Sequence, residues 1–148
     1  MKLTFWGAAQ QVTGSMFLLE IPELDYKILI DCGLDMENAP EDRPKSLYKG
    51  AHFPFDASMI NVVLLTHAHL DHSGHIPNLF RDNYEGQVLC TNATMELANI
   101  LLRDSAKLNA RRLFKFHRSR KRGYGLDKKL NFNPHDLYVE KDVQKAME

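Results

Sequence analysis

Residues 64–77 read LLTHAHLDHSGHIP and hold four of the chain's seven histidines, with an aspartate among them, directly after an apolar run. The dense part is His67-x-His69-x-Asp71-His72. In an extended segment, side chains two apart point to the same side, so His67 and His69 can converge on one ion. Asp71 and His72 come where the strand gives way to a loop, and adjacent residues there can reach a second ion nearby. Ser73 and Gly74 permit the tight turn that draws the set together. Imidazole nitrogen and carboxylate oxygen, with no thiolate, suit Zn²⁺, and Mn²⁺ or Fe²⁺ are compatible. Four desolvated imidazoles without a shared ligand would each need separate partners, which is costly. The spacing therefore predicts a metal centre. His75 lies past the turn, where a short helix should begin, and suits packing or support of the metal ligands better than ligation.

Such a cluster needs elements that hold it. Residues 2–6, 15–20 and 26–30 read as strands of an antiparallel meander, the third ending at Asp31-Cys32-Gly33. Residues 34–58 lose all period and read as a long irregular connection, the kind that tends to be functional. Residues 61–66 (NVVLLT) form a continuous apolar strand expected to be buried on both faces, which favours α/β layering. A short helix over 75–83, a strand over 87–91 and a longer helix over 93–113 should follow. On that long helix Leu97, Ile100, Leu101 and Leu108 recur on one face, with Arg103, Lys107 and Arg111 on another. Residues 115–129 read as a loop and 142–147 as a short helix.

At 148 residues and 44% hydrophobic, the chain is expected to form one domain with a packed core. Its apolar runs are far too short for a membrane span, and its start lacks the apolar stretch of a secretory signal. Two cysteines, Cys32 and Cys90, suit free thiols in a reducing compartment, so a soluble cytoplasmic protein is expected. A net charge of zero hides an asymmetry: residues 1–102 carry 6 Lys/Arg against 13 Asp/Glu, while residues 103–129 carry 11 against 2. That asymmetry points to a polyanionic partner. Within RRLFKFHRSRKRGYG, the cations Lys115, Arg118, Arg120, Lys121 and Arg122 alternate with Phe114, Phe116 and Tyr124, so RNA could be held by phosphate contacts and base stacking. The loop GAAQQVTGS has neither GxGxxG nor the lysine of a phosphate loop, so nucleotide binding there is set aside and its small residues are expected to pack beside the metal site.

THAHLDHSGHIP resembles the HxHxDH signature of the metallo-β-lactamase superfamily. KLTFWGAAQQVTGSMFLLE, ILIDCG and VLCTNATMELANILLRDSAKL resemble its β-CASP branch, the RNA-processing nucleases related to the pre-mRNA cleavage and polyadenylation endonuclease. The resemblance covers most of residues 1–113, lapses over 35–50 and 114–133, and returns at LYVEKDVQKAME. It implies an α/β fold, the N-terminal half of an αββα sandwich with helices on the outer face of a mixed sheet. It implies that His67 and His69 ligate one zinc, and Asp71 and His72 the other. Asp31 matches the acidic residue that supports the metal loop without touching the ion, a sensible role because a metal-bound histidine needs an acceptor for its other N–H. Asp71 would also orient the attacking water or take up a proton.

The family's third-motif histidine, bridging aspartate and β-CASP motifs would all lie downstream of Glu148, and neither His117 nor His135 has the context of the third motif. Residues 1–148 are therefore expected to be a partial metallo-β-lactamase domain of a longer enzyme. Alone, it would bind metal weakly, be inactive, and expose a sheet edge that favours a homodimer. The implied activity is zinc-dependent hydrolysis of RNA. The alternatives are a thioester or lactone hydrolase of the same superfamily, or a non-catalytic RNA-binding subunit.

Overall fold

A computed structural model describes residues 1–37, 53–121 and 134–148, without the side chains of residues 120 and 121. Five strands form one sheet in the order β1-β2-β3-β4-β5: β1 (Lys2–Gly7), β2 (Met16–Ile21), β3 (Tyr26–Ile30), β4 (Val62–Leu64) and β5 (Gln87–Leu89). The first three are the expected antiparallel meander, with Leu3 opposite Leu19 and Leu19 opposite Ile28. β4 and β5 join in parallel, Leu29 pairing with Val63 and Val63 with Val88. The result is a mixed α/β sheet.

Alternation along the strands separates the two faces. Leu18, Leu29 and Val63 point to one side and form a core with Ile76, Leu79 and Ala98 of the helices. The register puts Leu3, Phe5, Phe17, Leu19, Ile28, Ile30, Val62, Leu64 and Leu89 on the other side. There Phe5 is 59% exposed, Leu64 37% and Leu89 51%. The strand over 61–66 is thus shorter than expected, and the described residues cover it on one face only.

Among the described residues four α-helices pack on the covered side: α1 (Leu70–Ser73), α2 (Ile76–Arg81), α3 (Asn92–Lys121) and α4 (Glu140–Met147). α1 was not expected; the segment read as a loop is one helical turn, begun at His69. α2 has Pro77 as its second residue, where a fixed φ suits the first turn. α4 is a full helix, capped by the Asp142 carboxylate, which accepts from Val139 N–H at 2.8 Å.

α3 departs most from expectation. It spans 30 residues and runs through Lys115 to Lys121, where a loop was expected. Its buried side is Ala98, Leu102, Ala106 and Asn109, whereas Leu97, Ile100 and Leu108 are exposed. Two alanines let α3 lie close to its neighbours, and larger residues there would hold it off. Arg103 pairs with Glu140 and ties α3 to α4. Of the long connection, Phe53 and Phe55 are buried with their rings stacked 5.3 Å apart, and Trp6 leans on Phe55 at 6.3 Å. Residues 38–52 lie outside the described residues, as do the expected loop over 123–129, Tyr124 and Arg122. Among the described residues no helix is long and apolar enough to cross a membrane.

Candidate metal centre

β3 delivers Asp31 at its C-terminal end. The residue sits at φ +58°, a left-handed conformation uncommon outside glycine, and is 2% exposed. Its N–H donates to Leu64 O at 2.9 Å, so strand pairing fixes it beside the end of β4. A ladder of backbone bonds then laces the histidine loop to residues 31–34. Cys32 N–H donates to His72 O (2.7 Å), Leu34 N–H to Leu70 O (2.8 Å), and His75 N–H to Cys32 O (2.8 Å). Ser15 N–H reaches Asp71 O at 2.8 Å from the β1–β2 side. Gly33 is required here: a Cβ on it would stand 1.6 Å from Asp71 O.

The buried carboxylate of Asp31 is the hub. Its Oδ1 accepts from Thr66 N–H (2.8 Å), its Oδ2 from Ser15 Oγ–H (3.0 Å), and Thr66 Oγ lies within 3.0 Å of both oxygens. Its Oδ2 also meets His72 Nδ1 at 2.7 Å. An ionised Asp31 can only accept, so in a neutral His72 that contact places the proton on Nδ1 and leaves Nε2 with a free lone pair. His72 Nε2 faces Asp71 Oδ2 at 3.6 Å. Bonds of about 2.0–2.2 Å in a tetrahedral site would put two donor atoms about 3.4 Å apart, so this pair fits one divalent ion.

His67 stands beside His72, and His69 beside His67. The His67 ring centroid is 3.9 Å from that of His72 and 4.9 Å from that of His69. Thr66 Oγ lies 3.1 Å from His67 Nδ1 and engages the same nitrogen position that Asp31 engages on His72. Ser73 anchors the turn through Oγ–H to Ala68 O at 2.9 Å. The four side chains predicted as ligands are therefore neighbours, and the donor chemistry suits divalent cations. Among the described residues no group of three or more His, Cys, Asp or Glu converges on a single ion position.

Asp31 touches His72 directly. His75 caps the start of α2, with Nδ1 2.9 Å from Asn78 Nδ2 and its ring edge-on to Phe53. Lys115 and Arg118 are exposed on the distal part of α3, away from the cluster in sequence and beyond the helix's last buried residue, Asn109. Arg122 and the side chains of Arg120 and Lys121 lie outside the described residues.

Thr66 was missed by sequence reasoning, and Ser15 was foreseen only as one of the small loop residues beside the metal site, without its contact to Asp31. Their only signal was position, Thr66 directly before His67 and Ser15 at the end of GAAQQVTGS. Burial and the Asp31 carboxylate raise the pKa of the Cys32 thiol well above its ordinary value, so it stays protonated beside the site.

The family described as the Metallo-beta-lactamase superfamily matches residues 10–145. The chain is 43% identical over 108 residues to Ribonuclease TTHA0252 of Thermus thermophilus, covering 73% of this chain and 23% of that protein. It is 38% identical over 103 residues to Transcription termination factor FttA of Methanocaldococcus jannaschii, covering 70% of this chain and 15% of the relative. It is 36% identical over 111 residues to Probable RNase MJ4 of the same archaeon, covering 73% and 23%. The matched region is thus less than a quarter of each of these relatives.

Proposed function

The chain belongs to the metallo-β-lactamase superfamily, and on that premise we propose that it serves metal-dependent hydrolysis of phosphodiester bonds in RNA, as in the β-CASP branch. The observation that carries this reading is the junction of His67, His69, Asp71 and His72 over a buried carboxylate that fixes the tautomer of His72. His67 and His69 would hold one ion and Asp71 and His72 a second, with zinc the best match to the donors. When bound, such ions supply Lewis acidity for attack of water on a phosphodiester and offset charge building on its oxygens.

The chain's own residues do the rest. Asp31 holds the Nδ1 proton of His72 and keeps Nε2 free to ligate. Thr66 and Ser15 hold Asp31 in turn. Asp71, partly exposed beside His72, is the group that orients water or takes up its proton. Two protein ligands per ion are fewer than the three usual for a catalytic zinc, so residues 1–148 alone are proposed to bind metal weakly and to lack turnover. The unpaired thiols of Cys32 and Cys90 suit a reducing compartment, and the proposed location is the cytoplasm.

The test is a chimera in which residues 1–148 replace the matching N-terminal part of Ribonuclease TTHA0252. Cleavage of a labelled RNA that disappears with His69→Ala supports the reading. Turnover of a thioester but not of RNA moves the assignment to the thioester-hydrolase alternative. Neither turnover nor bound metal in elemental analysis would leave the non-catalytic RNA-binding reading.

A further inference from the structure

The distal part of α3 has no fully buried residue among its described side chains. Asn109 is the last buried residue among the helix's described side chains, with Nδ2–H donating to Tyr138 O at 3.1 Å, and beyond it the helix continues for twelve residues to Lys121. Lys107, Arg111, Lys115 and Arg118 follow one another at spacings of 4, 4 and 3. At 100° per residue they fall on one stripe, rising about one cation per 5.4 Å turn over about 16 Å. All four are exposed, and none has a hydrogen bond or ion pair among the described residues. Like charges at i and i+4 work against a helix, so the stripe is retained at some cost to the helix's own stability.

Phe114 stands on the same face, between Arg111 and Lys115, and is 66% exposed. Leu113 and Phe116, on the opposite side, are half-buried. A helix lying on a membrane presents its apolar side for insertion, and that side is half-buried here. An exposed ring set among unpaired cations is instead the pattern that holds single-stranded nucleic acid, with cations on phosphates and the aromatic face under a base. The acidic character of residues 1–102 reinforces this by repelling a polyanion from most of the sheet and directing it to α3.

We infer that the distal half of α3 is a docking rail for single-stranded RNA, with Lys107, Arg111, Lys115 and Arg118 bound to successive phosphates and Phe114 stacked on a base. The inference rests on RNA as the substrate class of the metal centre, but the rail binds without any metal.

The test measures fluorescence anisotropy of a labelled single-stranded RNA with the 148-residue chain, in chelator, across a series of salt concentrations. Four neutralised phosphates predict a slope of log K against log salt of about −3. The variant K107A/R111A/K115A/R118A should lose at least about tenfold in affinity at low salt and flatten the slope toward zero. Phe114→Ala should weaken binding about fivefold or more with the slope unchanged. These residues touch no buried partner, and an unchanged circular dichroism melt confirms that the variants fold. Equal affinity and slope in wild type and quadruple variant overturn the inference. So does binding to phosphatidylserine vesicles, but not RNA, that depends on the four cations. A His67→Ala/His69→Ala chain separates the two claims. If it keeps the salt slope while the chimera fails to cleave RNA, the nuclease reading falls and the rail stands; cleavage with no α3-dependent slope gives the reverse.

Discussion

Asp31→Asn tests the tautomer argument with almost no change of shape. The backbone N–H of Thr66 needs an acceptor and has Oδ1 at 2.8 Å, so the asparagine must keep its carbonyl oxygen there. Its NH₂ group then takes the place of Oδ2, facing His72 Nδ1 at 2.7 Å and Ser15 Oγ at 3.0 Å. Two donors cannot face each other, so His72 must move its proton to Nε2, the nitrogen turned toward Asp71. A protonated Nε2 cannot ligate. Loss of such a supporting acceptor lowers metal affinity about 10–100-fold, or about 1.4–2.7 kcal/mol. Metal-free stability should change far less, because the Ser15 hydroxyl can rotate to accept and His72 has its alternative tautomer. A charge-assisted hydrogen bond exchanged for a neutral one costs about 1 kcal/mol, a fall of about 2–4 °C in melting temperature. Zinc competition against a chromophoric chelator gives the affinity, and a thermal melt in EDTA gives the stability. Unchanged zinc affinity alongside an unchanged melt would refute the claim that Asp31 sets the state of His72. A large loss of metal-free stability would mean that Asp31 is first a structural strut.

Gly33→Ala should destabilise the chain by about 3 kcal/mol or more and also weaken metal binding, because its Cβ would sit 1.6 Å from Asp71 O, a backbone atom of the metal loop; urea unfolding measures the first and zinc titration the second. Iodoacetamide on the native chain should modify one of the two cysteines, the exposed Cys90, and leave buried Cys32 intact until denaturant is added, as peptide mass spectrometry would read. Burial pushes the Tyr84 and Tyr138 phenols up to about 12, above the ordinary value near 10. Because the folded-state values are raised, the stability these neutral phenols contribute is complete below about pH 10 and is lost as pH rises toward 12. Denaturant midpoints should therefore fall across that window, and Tyr138→Phe should shrink the fall.

The chemistry of the centre was legible because its ligands are contiguous: His67 to His72 announce themselves by density and spacing. Asp31 was legible by resemblance and by its place at a strand end. Its hydrogen bonds to Ser15 and Thr66 were not, since these lie 16 and 35 residues away and a lone serine or threonine carries no pattern, although the loop ending at Ser15 was placed beside the site. The meander could be read from alternation, but α1 is a single turn, too short to show a helical period. The end of α3 was misread because a polar, basic run looks like a loop when periodicity is the only guide. Its inner face was misread for a different reason. Leucine and isoleucine draw the eye, yet Ala98 and Ala106 are the residues that allow close approach, and Leu97, Ile100 and Leu108 were left outside. The same bias suggested a strand buried on both faces at 61–66, where the described helices cover one side alone.

The uncovered side of the sheet, from Leu3 and Phe5 across to Leu64 and Leu89, has a thermal consequence. Attraction between oily surfaces weakens on cooling and strengthens on warming, and kosmotropic salts reinforce it. The isolated chain should accordingly be most tractable cold and in low sulfate, and become stickier with each step toward ambient temperature. The ionic attraction assigned to α3 weakens as salt is raised, so a single ammonium sulfate series would pull the two surfaces in opposite directions and let each be recognised by its own trend.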